Sequence, residues 1–470
     1  MSEDSMPRPA LPLLDRFDTI VVGFIVLLVM VIGAVVVLGD HVGVEVKGYS
    51  PKSDETPPGT TPIRVIFDSQ MKRSSAQDHF DVRPSVEGTF KWENNDTVLI
   101  FTPAYAFSPH ENYQITIQKG AESETGHRLL DDVQFSLTVR PPEVYFLSPS
   151  DARERGLWRV SSEGGEPEQV FTSPYGVFDF APSPDGKQIA VTIFAQENLL
   201  SEIMLINPDG SNPQQITSCD PAACGRPSWS PDGQWLSYER QEKVEGGNFG
   251  PSRIYLLNMQ SGQTGPAFQD NQILGFGAIW SPDSQQMAFY DSNIQQIRTL
   301  NLKTGVNYTI PSLNWDGGAF SPDGTQLVFT DIKLVEDNIY ASQLWLATLP
   351  QASGEPGVAP LLAESQEDQG PSWSLDGHWI AFGRRRVDWQ LDRARQVWLY
   401  NVASHELKQL TDEPNYNSSF YIWDPSSSHL LIQRFDIETQ FPKTELWVYD
   451  LSTDSMTPLT ADGYLGRWLP

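Results

Sequence analysis

Trp229-Ser-Pro-Asp-Gly-Gln-Trp-Leu-Ser-Tyr238 decides the fold, because the chain writes it again and again. Near copies start at Pro182 (Pro-Ser-Pro-Asp-Gly-Lys-Gln-Ile-Ala-Val), Trp280 (Trp-Ser-Pro-Asp-Ser-Gln-Gln-Met-Ala-Phe), Phe320, Trp373 and Trp423. A truncated copy, Gly466-Arg-Trp-Leu-Pro470, closes the sequence. The anchors Pro182, Trp229, Trp280, Phe320, Trp373, Trp423 and Trp468 lie 47, 51, 40, 53, 50 and 45 residues apart. Such a period, filled with period-2 alternation, is that of stacked four-stranded blades, so the spacing predicts a β-propeller.

Within each repeat an aromatic residue closes a strand and Ser-Pro-Asp-Gly turns the chain. Proline fixes φ, aspartate accepts backbone amides and glycine takes positive φ. Asp185, Asp232, Asp283, Asp323 and Asp376 are therefore read as turn residues rather than catalytic acids. An apolar strand follows, then a third such as Gln396-Val-Trp-Leu-Tyr400, then a short outer strand such as Gln214-Gln-Ile-Thr217. The copy at Trp423 reads Asp-Pro-Ser-Ser-Ser and leaves its turn type open. The grammar begins out of phase. Glu143-Val-Tyr-Phe-Leu147, Leu157-Trp-Arg-Val160 and Glu168-Gln-Val-Phe171 supply three strands of a blade whose innermost strand is missing. The stretch 464–468 is an inner strand with nothing after it. Joined, they complete a seventh blade and remove the open edges; a six-bladed ring with a stray end is the alternative.

Outside 143–470 three further segments are expected. Residues 1–18 form a short polar tail. Residues 19–39 hold an uncharged apolar run from position 20, long enough at 1.5 Å per residue to cross a hydrocarbon core of roughly 30 Å, and are read as an uncleaved transmembrane helix. Residues 40–47 link it to a unit at 48–141, where Ile63-Arg-Val-Ile-Phe67, Thr97-Val-Leu-Ile-Phe101 and Tyr113-Gln-Ile-Thr-Ile117 alternate as in a β-sandwich. Arg8 and Arg16 on one flank against Lys47 and Lys52 on the other place the N-terminus in the cytoplasm and the bulk outside it, at the cell surface or in the periplasm. Thus the whole is expected to be all-β apart from one N-terminal transmembrane helix.

Two resemblances sharpen this reading. The unit at 48–141 resembles the bacterial Ig-like domains that act as spacers or adhesive modules in surface proteins, on Gly48-Tyr-Ser-Pro51, Ile66-Phe-Asp-Ser-Gln-Met71, Leu99-Ile-Phe-Thr-Pro103 and Asn112-Tyr-Gln-Ile-Thr-Ile117. The Trp-Ser-Pro-Asp-Gly-x-x-Ile-Ala-Phe signature resembles the repeats of TolB-type propellers and of the propellers in prolyl oligopeptidase-like enzymes. It implies fold; blade number varies among such proteins.

Charge and composition exclude some functions. A formal charge of −28 repels phosphate backbones, so no nucleic-acid partner is expected. The seven histidines form no spaced set with cysteine or carboxylates, no Gly-x-Ser-x-Gly elbow or Walker loop occurs, and neither catalytic residues, metal nor cofactor is expected. The two cysteines, Cys219 and Cys224, are read as a loop disulfide, which implies an oxidising compartment, in preference to two free thiols.

Binding is then the expected role, with a protein, peptide or glycan of the cell envelope as partner. Long loops at 239–252, 332–342, 411–420 and 435–444 share one rim of the ring and are the places for recognition. Arg384, Arg385, Arg386, Arg393 and Arg395 surround Trp389 in a separate rim loop, 383–395, a set suited to a carboxylate, a phosphate or a planar or sugar group. The structural alternative is that these arginines neutralise acidic neighbours such as Asp388, Asp392 or Glu445. Asp331, Glu336 and Asp337 raise calcium as a weaker idea. The rival class is a lyase or hydrolase working in the funnel, which convergent carboxylates with shifted pKa would favour. A sensor acting through a membrane partner is a third reading.

Overall fold

A computed structural model describes residues 16–38, 43–109, 111–195, 200–336, 339–350, 354–362, 366–387 and 393–469. Among the described residues the α-helices are Arg16–Leu38 and Arg73–Asp78, and strands make up the rest of the regular structure.

Two sheets, one of four strands and one of three, are built from strands between Val46 and Leu137 and enclose a single core around Ile63, Leu99, Phe101, Ile115 and Phe135. The inward positions of Ile63–Phe67 and Tyr113–Ile117 are Ile63, Val65, Phe67 and Tyr113, Ile115, Ile117, so the period-2 pattern fixes which face is buried.

From Glu143 onward the chain makes seven consecutive four-stranded antiparallel sheets. Their inner strands are Val177–Pro182, Ala223–Trp229, Gly275–Trp280, Ala319–Phe320, Gln366–Trp373, Tyr416–Trp423 and Tyr464–Leu469, and number the blades one to seven. Blade seven is the composite. Tyr464–Leu469 pairs antiparallel with Glu143–Ser148, which pairs with Gly156–Ser161 and then Glu168–Phe171. It packs against blades one and six, so the ring closes with seven blades and the six-bladed alternative falls.

The repeated tryptophan ties blades together. Nε1 of Trp229, Trp280, Trp423 and Trp468 donates to the inner strand of the preceding blade, at the carbonyls of Ala181, Ser228, Ser372 and Ile422 (3.0–3.1 Å). The turns behave as their residues dictate. Ser183, Ser230, Ser281, Ser321 and Ser374 each donate Oγ–H to the aspartate two positions on, at 2.5–2.7 Å. Blade six reaches the same turn with the polarity reversed. Asp424 stands where the serine would, Ser426 donates to its carboxylate, and the amides of Ser428 and His429 close on Asp424 Oδ1 at 2.9 and 2.8 Å. Ser284 and Ser427 replace the turn glycine at φ 61°. Each offsets the strain of a Cβ there by accepting the amide of the preceding blade's turn aspartate, Asp232 or Asp376.

The N-terminal unit sits on the face that carries these turns. Ala106 N–H donates to Pro425 O (3.4 Å), and Thr60, Thr61 and Pro62 share a cleft with Pro184, Asp185, Pro231 and Asp232. The opposite rim, where strands two and three connect and where one blade leads to the next, faces away from it.

The helix Arg16–Leu38 forms where the apolar run predicts one. Among the described residues no helix is long and apolar enough to cross a membrane, and the expected transmembrane span does not stand as a structural feature.

Candidate functional site

The arginine-rich segment is drawn inward. Arg384 and Arg385 lie on Trp379–Arg386, paired antiparallel to Gln366–Trp373, and the register sets Asp368 opposite Arg384 and Glu367 opposite Arg385. Arg384 is buried and forks onto Asp368, with Nε to Oδ1 at 2.8 Å and Nη2 to Oδ2 at 3.0 Å. Arg385 donates twice to Glu367 Oε2 (2.9 and 2.7 Å), and Arg395 reaches Glu367 Oε1 at 2.7 Å. Arg393 lies 3.9 Å from Glu438. Arg386 ends the same strand; Trp389, Asp388 and Asp392 lie outside the described residues. The acidic partners are thus Glu367 and Asp368, on the neighbouring strand. Glu445, named from sequence, pairs with Arg434 at 3.2 Å instead. These forks are engaged within the protein, and the Arg384 side chain is 7% exposed.

Of the residues named for calcium, Asp331 is engaged within the fold, and the side chain of Glu336 lies outside those described. Asp331 pairs with Lys333 at 2.5 Å and accepts the amides of Leu313 and Ile332. Asp337 lies outside the described residues, and among those described no group of three or more His, Cys, Asp or Glu could hold a metal ion.

A second arrangement, which repeat-by-repeat reading missed, crosses the rim end of the inner strands. Arg467 of blade seven reaches Asp179 of blade one at 3.3 Å, and Arg226 of blade two lies 3.6 Å from Glu239 of the same blade. Glu239 accepts the amide of Gly277 in blade three (2.9 Å) and the hydroxyl of Ser252 (3.1 Å). Burial pushes both carboxyls up, against the pull of Arg467 on Asp179 and of Arg226 on Glu239. Burial likewise raises Asp316, against the amides of Gly318 and Gly317. Beside this arc a cavity of about 460 Å³ is lined by Phe178, Phe276, Trp315, Arg226, Glu239 and the chain around Cys224. Cys219 and Cys224 form a disulfide that closes the loop leading into it.

The two sets of carboxyls predict a pH profile. The turn aspartates Asp185, Asp323 and Asp376 are held below the usual range; at Asp323 the leading cause is the Ser321 hydroxyl, and at the other two serine and amide hydrogen bonds outweigh burial. Their stabilisation is present above about pH 4 and is lost as pH falls through the depressed values. The raised carboxyls of Asp179, Glu239 and Asp316 act oppositely: their charged forms cost stability at neutral pH, and protonation relieves it. Partial burial lowers His429, but Asp424 outweighs this and raises it, so its contribution is also fullest on the acid side. Stability to urea should therefore pass through a maximum between pH 7 and pH 4. A steady fall from pH 7 downward would contradict the upward shifts.

A closed ring of seven four-stranded blades carrying a small β-sandwich defines the chain as a β-propeller protein with an appended immunoglobulin-like module. Residues 40–139 match the family model described as bacterial Ig-like domain. An uncharacterized protein of Agrobacterium fabrum is 28% identical over 143 residues, covering 28% of this chain and 48% of that protein, so the match spans about half of the relative's length. Similar solved structures include TolB from Acinetobacter baumannii, at 16% identity, 85% coverage of this chain, 86% of that one and a TM-score of 0.42. A puromycin hydrolase is 16% identical over 69% of this chain and 52% of its own, with a TM-score of 0.50. The likeness to these two is one of fold.

Proposed function

We propose that this chain is a recognition protein of the cell envelope: residues 20–39 tether it to a membrane, the unit at 48–141 is a spacer, and the free rim of the propeller at 143–470 binds a protein, peptide or glycan. One observation carries this reading. Large apolar side chains left in water lie in the loops of that rim: Phe441 is 85% exposed, Trp315 72% and Tyr340 69%, and Leu313, Leu334 and Val244 are exposed there too. On the opposite turns the large exposed hydrophobics among the described residues are Leu375 and Val306. Such one-sided exposure suits an interaction surface, and aromatic side chains supply most interface energy. Because the blades hold the loops rigid, little ordering entropy is lost when a partner docks. The N-terminal unit covers part of the other face, so the rim points away from the tether. The disulfide supports an extracytoplasmic setting.

The enzymatic reading keeps one supporting observation, the raised carboxyls of Asp179, Glu239 and Asp316. Each already accepts hydrogen bonds within the fold, which favours a structural role for them.

The test is a triple substitution, Trp315→Ser, Tyr340→Ser and Phe441→Ser, in the full-length chain. Exposed sites of this kind leave stability within roughly 0.5 kcal/mol each. Retention of solubilised envelope components on the immobilised protein should fall at least tenfold while the melting temperature holds. Unchanged retention would sink the reading.

A further inference from the structure

Three residues before the anchoring tryptophan, the inner strand takes positive φ in four blades: Arg226 (51°), Gly277 (69°), Gly370 (61°) and Leu465 (55°). Each sits in a register shift of the ladder, a bulge that turns the backbone at the rim. Glycine adopts this conformation freely, whereas a residue with a Cβ is strained there by roughly 1–2 kcal/mol. Arg226 is doubly disfavoured, because Pro227 crowds the residue before it. The chain shows its own unstrained solution: Gly225-Arg-Pro-Ser-Trp229 in blade two corresponds to Gln369-Gly-Pro-Ser-Trp373 in blade five. Leu465 bears the same strain but packs against a core cluster, whereas the Arg226 side chain contributes little to the fold. The guanidinium is about half exposed and its ion pair with Glu239 is long, at 3.6 Å.

What surrounds Arg226 says what it would hold. The polar side chains of the 460 Å³ cavity are largely committed: Ser201 donates to Cys224 O (2.8 Å), Ser252 to Glu239 (3.1 Å), Gln241 to Gly250 O (3.2 Å) and Ser292 to Leu274 O (3.3 Å). A hydroxyl-rich sugar would find few partners here. The guanidinium, with five N–H donors in a planar fork, is matched to a carboxylate. Glu239 also lines the cavity, its carboxylate accepting the Gly277 amide and the Ser252 hydroxyl; the apolar walls, which include Phe178, Phe276 and the exposed indole of Trp315, suit an apolar side chain next to the bound carboxylate.

We propose that this rim cavity binds a carboxylate of a partner polypeptide, clamped by Arg226, with the neighbouring apolar side chain against Phe178, Phe276 and Trp315. The inference rests on the rim being the recognition face. The net charge of −28 opposes an anion at long range. Recognition must therefore be short-range, and added salt should speed association by screening the repulsion.

The experiment titrates the full-length protein in detergent with acetylated short peptides ending in Leu or Phe, as free acids and as amides. Amidated peptides with an internal Asp beside Phe form a second arm, and an oligouronide a third. The expected result is that carboxylate-bearing peptides bind at least tenfold tighter than their carboxylate-free counterparts. Arg226→Gly should abolish that tenfold preference while melting at the same or a higher temperature, and Arg226→Lys should retain part of it. The first two arms tell a chain terminus from an acidic side chain. Binding indifferent to the carboxylate, affinity unchanged in Arg226→Gly, or a melting temperature several degrees lower would overturn the proposal. So would Arg226-dependent binding of the oligouronide alone. If peptide binding fails while the triple rim variant still loses envelope retention, this inference falls and the rim reading stands.

Discussion

Removing residues 464–470 should unfold the ring rather than open it. The strand Tyr464–Leu469 is the inner strand of blade seven and the last to be made, so its loss strips the partner from Glu143–Ser148 and the packing from blades one and six. Trp468 and Leu469 are buried, and the indole donates to Ile422 O at 3.1 Å. Truncating a buried tryptophan alone costs about 3–5 kcal/mol and a buried leucine about 2–5. Together they rival the 5–15 kcal/mol that holds a typical domain, before the lost ladder is counted. Trp468→Ala should therefore be folded but strongly destabilised, and the truncated chain should show no cooperative melting of the propeller by circular dichroism. A truncated chain melting within a few degrees of the full length would mean that six blades suffice.

The second large effect belongs to the buried pair Arg384–Asp368. Asp368→Ala leaves a guanidinium in the interior without its bidentate acceptor, and removing one partner of such a pair costs about 3–5 kcal/mol. Replacing both, with Arg384→Met and Asp368→Leu, should recover most of the loss, because apolar residues of similar volume avoid the desolvation of two charges. A double-mutant cycle in urea reads the difference directly. A single substitution costing under 1 kcal/mol would show that the pair is solvated, and would return Arg384 to the set of groups able to meet a ligand.

The blades were legible because each repeat carries local instructions that need no distant partner: proline, aspartate and glycine in the turn, alternation in the strands, an indole at the seam. Even the missing strand of blade seven could be read, since Glu143-Val-Tyr-Phe-Leu147 enters the grammar out of phase. The acidic partners of the arginines were not found, although the signal was present. The bulge at Gly370 and Pro371 shifts the register so that Asp368 and Glu367 stand opposite Arg384 and Arg385. A straight ladder, counted without the bulge, misplaces them. The arc of Arg467, Asp179, Arg226, Glu239 and Gly277 draws on four blades and exists only once the ring has closed. Arg226 did leave a trace: aligning Gly-Arg-Pro-Ser-Trp with Gln-Gly-Pro-Ser-Trp sets an arginine on a glycine position. The exposed aromatics of the rim lie in loops of unequal length, where repetition gives no guide to what stays in water.

The most direct test of a one-sided recognition ring is photo-crosslinking in intact cells, with the reactive residue placed at Tyr340 or Phe441 on one face and at Leu375 or Val306 on the other. All four positions are exposed, so each can carry the probe without repacking the core. The account predicts discrete adducts from Tyr340 and Phe441 and none from Leu375 and Val306. Equal labelling from both faces, or adducts confined to Leu375 and Val306, would contradict it.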